Sequence, residues 1–217
     1  MTDLLIVTAV DAEARAIGQH DDVLTVVSGV GRTNAAAATT EQILKYRERA
    51  PFDAVLSVGV AGALPGSDLS IGDIIIASAC IYTEEGIVTS RGFAGMNGLG
   101  FPLGDFEGNA VPVDEDLLDR LGAAFPIGPI ATVATCSGTD AAAQTVAQRT
   151  GAIAEAMEGA AVVHAARRLH VPAIEVRAIS NTTGDRKNQR WDLEAGLNAI
   201  RAAMPRVIDL LGAGTST

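Results

Sequence analysis

Two cysteines and three histidines are all the chain offers toward the common metal sites, and neither set has the spacing of one. Cys80 and Cys136 stand far apart and outside any disulfide framework, so reduced thiols, no metal and no other cofactor are expected. Basic residues are in the minority: 16 Lys and Arg against 26 Asp and Glu give a formal charge of -10. Such a surface repels a phosphate backbone and an anionic bilayer alike, which argues against nucleic acid and membrane as partners. Long hydrophobic runs are missing too. The opening LLIVTAV follows Asp3 rather than a basic stretch and is far shorter than the roughly 20 residues of a membrane span. It reads as the buried first strand of a cytoplasmic protein.

What is present is material for a core. Apolar residues make up 48% of the chain and charged ones 19%, a balance that excludes a disordered or fibrous protein. At 217 residues, a single domain spanning 1–217 is expected. Short β-branched runs at Leu4–Thr8, Val23–Ser28, Ala54–Val58, Ile71–Ala79, Ile130–Thr135 and Ala173–Ser180 predict strands. Helices are predicted over Ala12–Gln19, Thr33–Arg49, Glu115–Ala124, Asp140–Thr150, Glu158–His170 and Leu193–Leu211. Unbroken apolar strands alternating with helices imply an α/β fold, a mixed but mostly parallel central sheet with helices on both faces. The closing GAGTST reads as a tail. Arg91–Pro112, rich in glycine and aromatics without periodicity, reads as a candidate lid or a plain connection.

In open sheets of this class ligands gather beyond the carboxyl ends of the strands, which directs attention to a few segments. Gly29 and Gly31 fall between a strand and a helix but lack the third glycine of a dinucleotide fingerprint, so they read as a tight turn. Ser57–Leu64 follows an apolar strand and offers three small residues at Ala61, Gly62 and Ala63, a turn that is expected to let a ligand approach backbone amides. In EAMEGAAVVHAARRLHVPAIEVRAISNTTGD, Glu158 stands where a helix begins, a favourable place for a carboxylate. Arg177 lies inside an apolar strand, where a cation needs a partner, and alternation nominates Glu175. Asn181 follows as a possible turn residue.

Taken together, TAVDAEARAI, VGVAGAL with IGDIIIAS, EAMEGAAVVHAA and VPAIEVRAISN resemble the nucleoside phosphorylase and nucleosidase superfamily over residues 1 to about 210. The nearest likeness is to futalosine hydrolases and methylthioadenosine/S-adenosylhomocysteine nucleosidases, whose Met-Glu pair is followed nineteen positions later by arginine, as Glu158 is by Arg177. The resemblance implies an enzyme that cleaves the N-glycosidic bond of a small-molecule purine nucleoside, and a homo-oligomer. It implies Glu13 as the base for water, Arg177 as the group that orders it, Glu158 on the ribose hydroxyls and Met157 beneath the sugar. Val60, Ala61 and Gly62 would lie against sugar and base, with Ser180 beside the base-reading Asn181.

Two departures from the nucleosidase pattern sharpen this. Adenosine-type enzymes carry aspartate where Asn181 stands; an amide cannot deliver a proton, but it can donate to N7 and to an oxygen at C6, which favours a hypoxanthine-type leaving group. The related phosphorylases bind phosphate with an arginine and a serine at the places of Ser57 and Val60, so water is the expected nucleophile. Ala134–Ala143 supplies no aromatic for the base, leaving Phe93, Phe101, Phe106 and Trp191 as candidates to stack on it.

Overall fold

A computed structural model describes residues 3–212, so the tail from residue 213 onward lies outside it. Ten strands and seven helices are present among the described residues: β1 (Leu4–Thr8), α1 (Asp11–Ile17), β2 (Val23–Val27), α2 (Arg32–Tyr46), β3 (Ala54–Ala63), β4 (Ile74–Tyr82), β5 (Gly86–Thr89), β6 (Gly92–Gly95), α3 (Met96–Leu99), β7 (Ala110–Pro112), α4 (Glu115–Gly122), β8 (Ile127–Thr132), α5 (Asp140–Thr150), β9 (Ala154–Ala156), α6 (Gly159–Arg168), β10 (Ala173–Thr182) and α7 (Leu193–Gly212). None of these helices is long and apolar enough to cross a membrane. The expected mixed α/β architecture is present, with parallel pairing at β1–β2, β1–β3, β3–β10, β4–β8 and β8–β9. Antiparallel contacts join β4 to β10, β3 to β9 and β4 to β7.

The sheet is not open. Its path runs β10-β4-β8-β9-β3-β1-β2, and β10 also pairs with β3, so five strands close into a ring from which β1 and β2 extend. β3 therefore has hydrogen-bonded neighbours on both sides along its second half, which explains the clearest error of the sequence reading. Val60, Ala61 and Gly62 are not in a turn: they continue β3 to Ala63, although Val60 is the one good strand former from Gly59 to Ala63, because β10 pairs with all of them and β9 with Gly62 and Ala63. Asn181 likewise lies within β10 rather than past its end. The three-residue β9, carrying Glu155, is too short to show any alternation.

Packing explains the glycine of the Met-Glu-Gly run. A methyl on Gly159 would fall on the carboxylate of Glu175, so only glycine lets α6 start directly over β10. From there Ala160, Ala161, Val162, Val163, Ala165 and Ala166 are all buried, and α2 packs against this small-residue helix with Ala35, Thr39 and Ile43. The Arg91–Pro112 segment contains β6, α3 and β7, with irregular chain between α3 and β7. Phe106 enters the core and meets His164 edge to face, while Phe93 lies under the guanidinium of Arg149.

Candidate active site

One cavity of about 370 Å³ opens beside the closed ring. Glu13, Val60, Ala61, Gly62, Met157, Glu158, Ser180 and Asn181 all border it, and Arg177 lies directly beneath, 2% exposed. The structure thus brings together the catalytic and substrate-binding residues the sequence nominated, but not three of the four aromatics offered to stack on the base. No residue of 91–112 borders the cavity; Trp191 is the one aromatic among its lining residues.

Glu13 occupies the first turn of α1 and divides its carboxylate between two tasks. Oε2 accepts from Thr8 Oγ1 (2.7 Å), Ala9 N (3.0 Å) and Val10 N (3.3 Å), which satisfies amides at the helix start. Oε1 accepts from Val60 N at 2.9 Å, tying α1 to β3. Oε1 also lies close to where a side chain on Gly59 would project, as does Nη1 of Arg177, so the missing Cβ of Gly59 is what admits both groups.

Arg177 stands on β10 between Glu175, its predicted partner, and the cavity. Its Nε donates to Glu175 Oε1 at 2.7 Å, its Nη2 donates to Ser57 Oγ at 3.0 Å, and Nη2 lies 3.5 Å from Glu158 Oε2. Burial works against this charge, yet Glu175, then Glu158 and Glu13, hold the guanidinium pKa above its ordinary value. Ser57 is buried and spent on Arg177, outside the cavity lining, so of the two positions compared with the phosphorylases only Val60 faces the ligand space.

Glu158 is the residue before α6, and a second contact fixes it from 127 residues away: Gly31 N donates to its Oε1 at 3.0 Å. The Gly29-x-Gly31 turn therefore serves the site. Gly31 holds φ +94°, a conformation that suits glycine and aims its amide at the carboxylate. Each Glu158 oxygen retains acceptor capacity toward the cavity.

Asn181 owes its position to a register shift in β10. Ile179 faces Ala61, but the next paired residue is Asn181 opposite Gly62, where unbroken pairing would have set Ser180. Its Oδ1 accepts from Ser180 Oγ at 2.9 Å and its Nδ2 donates to Thr182 O at 3.0 Å, leaving one amide hydrogen for a ligand. Gly62 gives this amide its room, since a Cβ there would come within 2.8 Å of Nδ2.

Sequence reasoning missed several lining groups, three of them joined by hydrogen bonds. Ser137, Gln189 and Glu155 gather at the Asn181 end of the cavity, with Gln189 Nε2 donating to Ser137 O at 2.9 Å. They come from a loop, a loop and a three-residue strand, and nothing in their local pattern set them apart.

Comparison with known proteins agrees with this geometry. The Phosphorylase superfamily pattern matches residues 11–213. A futalosine hydrolase of Acidothermus cellulolyticus is 36% identical, covering 92% of this chain and 87% of that one, and one of Streptomyces coelicolor is 32% identical, covering 86% and 78%. The structure of a Helicobacter pylori futalosine hydrolase mutant superimposes with a TM-score of 0.78 at 19% identity, covering 96% of this chain and 99% of that one, a likeness of fold. The superfamily match over nearly the whole chain, with relatives above 30% identity across most of their length, makes this chain a member of the futalosine hydrolase family within the phosphorylase superfamily.

Proposed function

We propose that the protein hydrolyses the N-glycosidic bond of futalosine, an inosine-type nucleoside, releasing hypoxanthine in the synthesis of menaquinone. The observation that carries this is the convergence of Glu13, Glu158 and Asn181 on one cavity over the buried Arg177. Glu158 accepts the two ribose hydroxyls through charge-assisted bonds, and Met157 forms an apolar floor under the sugar. Glu13, steadied by Val60 N and ordered by the charge of Arg177, takes a proton from the attacking water. As the bond breaks, positive charge grows on the sugar, and the carboxylates of Glu13 and Glu158 stabilise it. The free Asn181 amide hydrogen donates to N7 or O6 of the departing base, where negative charge collects. Ser180 keeps the amide oriented by donating to its Oδ1.

Water rather than phosphate is the nucleophile: among the described residues Arg186, near Trp191, is the basic residue of the lining, and Arg177 beneath the cavity is already engaged by Glu175, Ser57 and Glu158. The enzyme works in the cytoplasm, and assembles as a homo-oligomer. Incubation with futalosine, inosine and methylthioadenosine, with and without phosphate, tests the reading. Hypoxanthine released from futalosine without phosphate supports it; strict dependence on phosphate, or turnover of methylthioadenosine alone, overturns it.

A further inference from the structure

Glu155 is a buried carboxylate, 5% exposed, that faces the ligand cavity and has no ion-pair partner among the described residues. Among the described residues its side-chain hydrogen bonds come from one residue: Ser137 N donates to Oε1 at 2.7 Å and Ser137 Oγ to Oε2 at 2.6 Å. A carboxylate held this way, out of water and without a cation, is costly to the fold, which marks it as a functional group. Each oxygen keeps acceptor capacity after its bond to Ser137.

The sheet places this carboxylate opposite the base-reading amide. Gly62 of β3 is the register partner of Asn181 on one side and of Glu155 on the other. Neighbouring strands lie about 4.8 Å apart, so the two residues are rooted roughly 10 Å from each other across a glycine that projects nothing between them. A flat heterocycle seated over Gly62 comes within reach of both. One flank offers an amide hydrogen; the other offers carboxylate oxygens that can only accept.

We propose that Glu155 determines base specificity by accepting a hydrogen bond from N1–H of a 6-oxopurine while Asn181 donates to its O6 or N7 edge. This rests on the nucleoside-hydrolase reading above and adds the atom by which the base is chosen. Hypoxanthine carries a hydrogen on N1, whereas adenine presents a lone pair there, which would confront the carboxylate with a second acceptor. Burial raises the Glu155 pKa, with the two Ser137 bonds opposing, so a base that supplies N1–H restores the hydrogen bonding the ionised form lacks. A role limited to anchoring the Ser137 loop would leave base preference untouched.

Two measurements test this. In Glu155→Gln, the amide keeps the side-chain shape but can donate to N1 of adenine. The ratio of kcat/KM for inosine-type over adenosine-type nucleosides is expected to fall about 10- to 100-fold, the effect of one hydrogen bond to a charged group. An unchanged ratio in a folded variant overturns the proposal. Independently of that variant, calorimetric titration of the native enzyme compares hypoxanthine with 1-methylhypoxanthine, which lacks N1–H. At least tenfold weaker binding of the methylated base supports the proposal; equal binding refutes it. If the native enzyme releases no hypoxanthine from futalosine, the proposed reaction fails, while the two free bases still decide whether Glu155 reads N1.

Discussion

Replacing Gly59 by alanine should disable the enzyme without unfolding it. The added Cβ would lie 2.5 Å from Glu13 Oε1 and 3.0 Å from Glu13 Cδ, and it would also crowd Nη1 of Arg177. Ordinary contact begins at 3.4 Å, so the Glu13 carboxylate must retreat by about 0.9 Å. Neither neighbour has freedom to yield: Glu13 is tethered by Thr8, Ala9, Val10 and Val60, and Arg177 is clamped between Glu175 and Ser57. Overpacking of this kind costs about 1–3 kcal/mol, which for a chain of this size lowers Tm by roughly 2–12 °C. Displacing a catalytic group by about 1 Å costs on the order of 100-fold in rate. The expected result is a folded variant whose kcat for hypoxanthine release falls about 100-fold, with a smaller change in KM because Glu158 and Asn181 are untouched. Steady-state kinetics alongside a thermal melt decides it. A Gly59→Ala enzyme within threefold of the native kcat would mean that Glu13 is not the base, and the mechanism would have to be rebuilt around another group.

Arg177→Met leaves Glu13, Glu158 and Glu175 without their shared cation, and removing one partner of a buried ion pair costs about 3–5 kcal/mol. For a chain of this size a thermal melt should therefore show a deficit of roughly 6–20 °C, and a Tm equal to that of the native enzyme contradicts the assigned network. Asn181→Asp introduces an acid able to protonate N7 and should raise the adenosine-to-inosine activity ratio, a shift read by competing the two nucleosides in one reaction; an unchanged ratio would show that residue 181 does not read the base. Glu155 has a folded-state pKa above its ordinary 4.5, so its stabilising contribution is fully present below about pH 4.5 and is lost as pH rises through the folded value. Glu155→Gln should therefore gain stability relative to the native enzyme at about pH 8 but not at about pH 4, and parallel melting curves at both would contradict the burial of that charge.

The site was legible where a residue violates its surroundings. Arg177 in an apolar strand demanded a partner, and alternation named Glu175, which the structure supplies at 2.7 Å. Glu158 and Glu13 were nominated by the resemblance to the nucleosidases, through the nineteen residues from Glu158 to Arg177 and the TAVDAEARAI run after β1. What escaped was what only tertiary pairing creates. Gly59–Ala63 holds one strand former, Val60, among glycines and alanines, and reads as a turn until β10 and β9 are known to pair there. Gly31 looked like punctuation because its amide serves a carboxylate 127 residues away. Glu155 lies on a strand of three residues, too short for periodicity to reveal which way it faces. The closing of five strands into a ring was hidden because β10 pairs with two strands at once, and nothing in its apolar pattern records a second neighbour.

That ring also divides the labour of motion. Peptide groups of β3 next to the ligand are bonded to strands on either side, so the floor of the cavity can give way only if much of the domain unravels with it. A nucleoside must therefore be admitted by the parts that hang from the floor, the Ser137 loop and the stretch from Gly184 to Trp191, which are joined to each other through Gln189 and Ser137. Entry and release then fall to a latch of hydrogen bonds through Gln189 and Ser137, and because Ser137 also holds Glu155, opening the latch loosens one side of the base site while Asn181 stays fixed in β10.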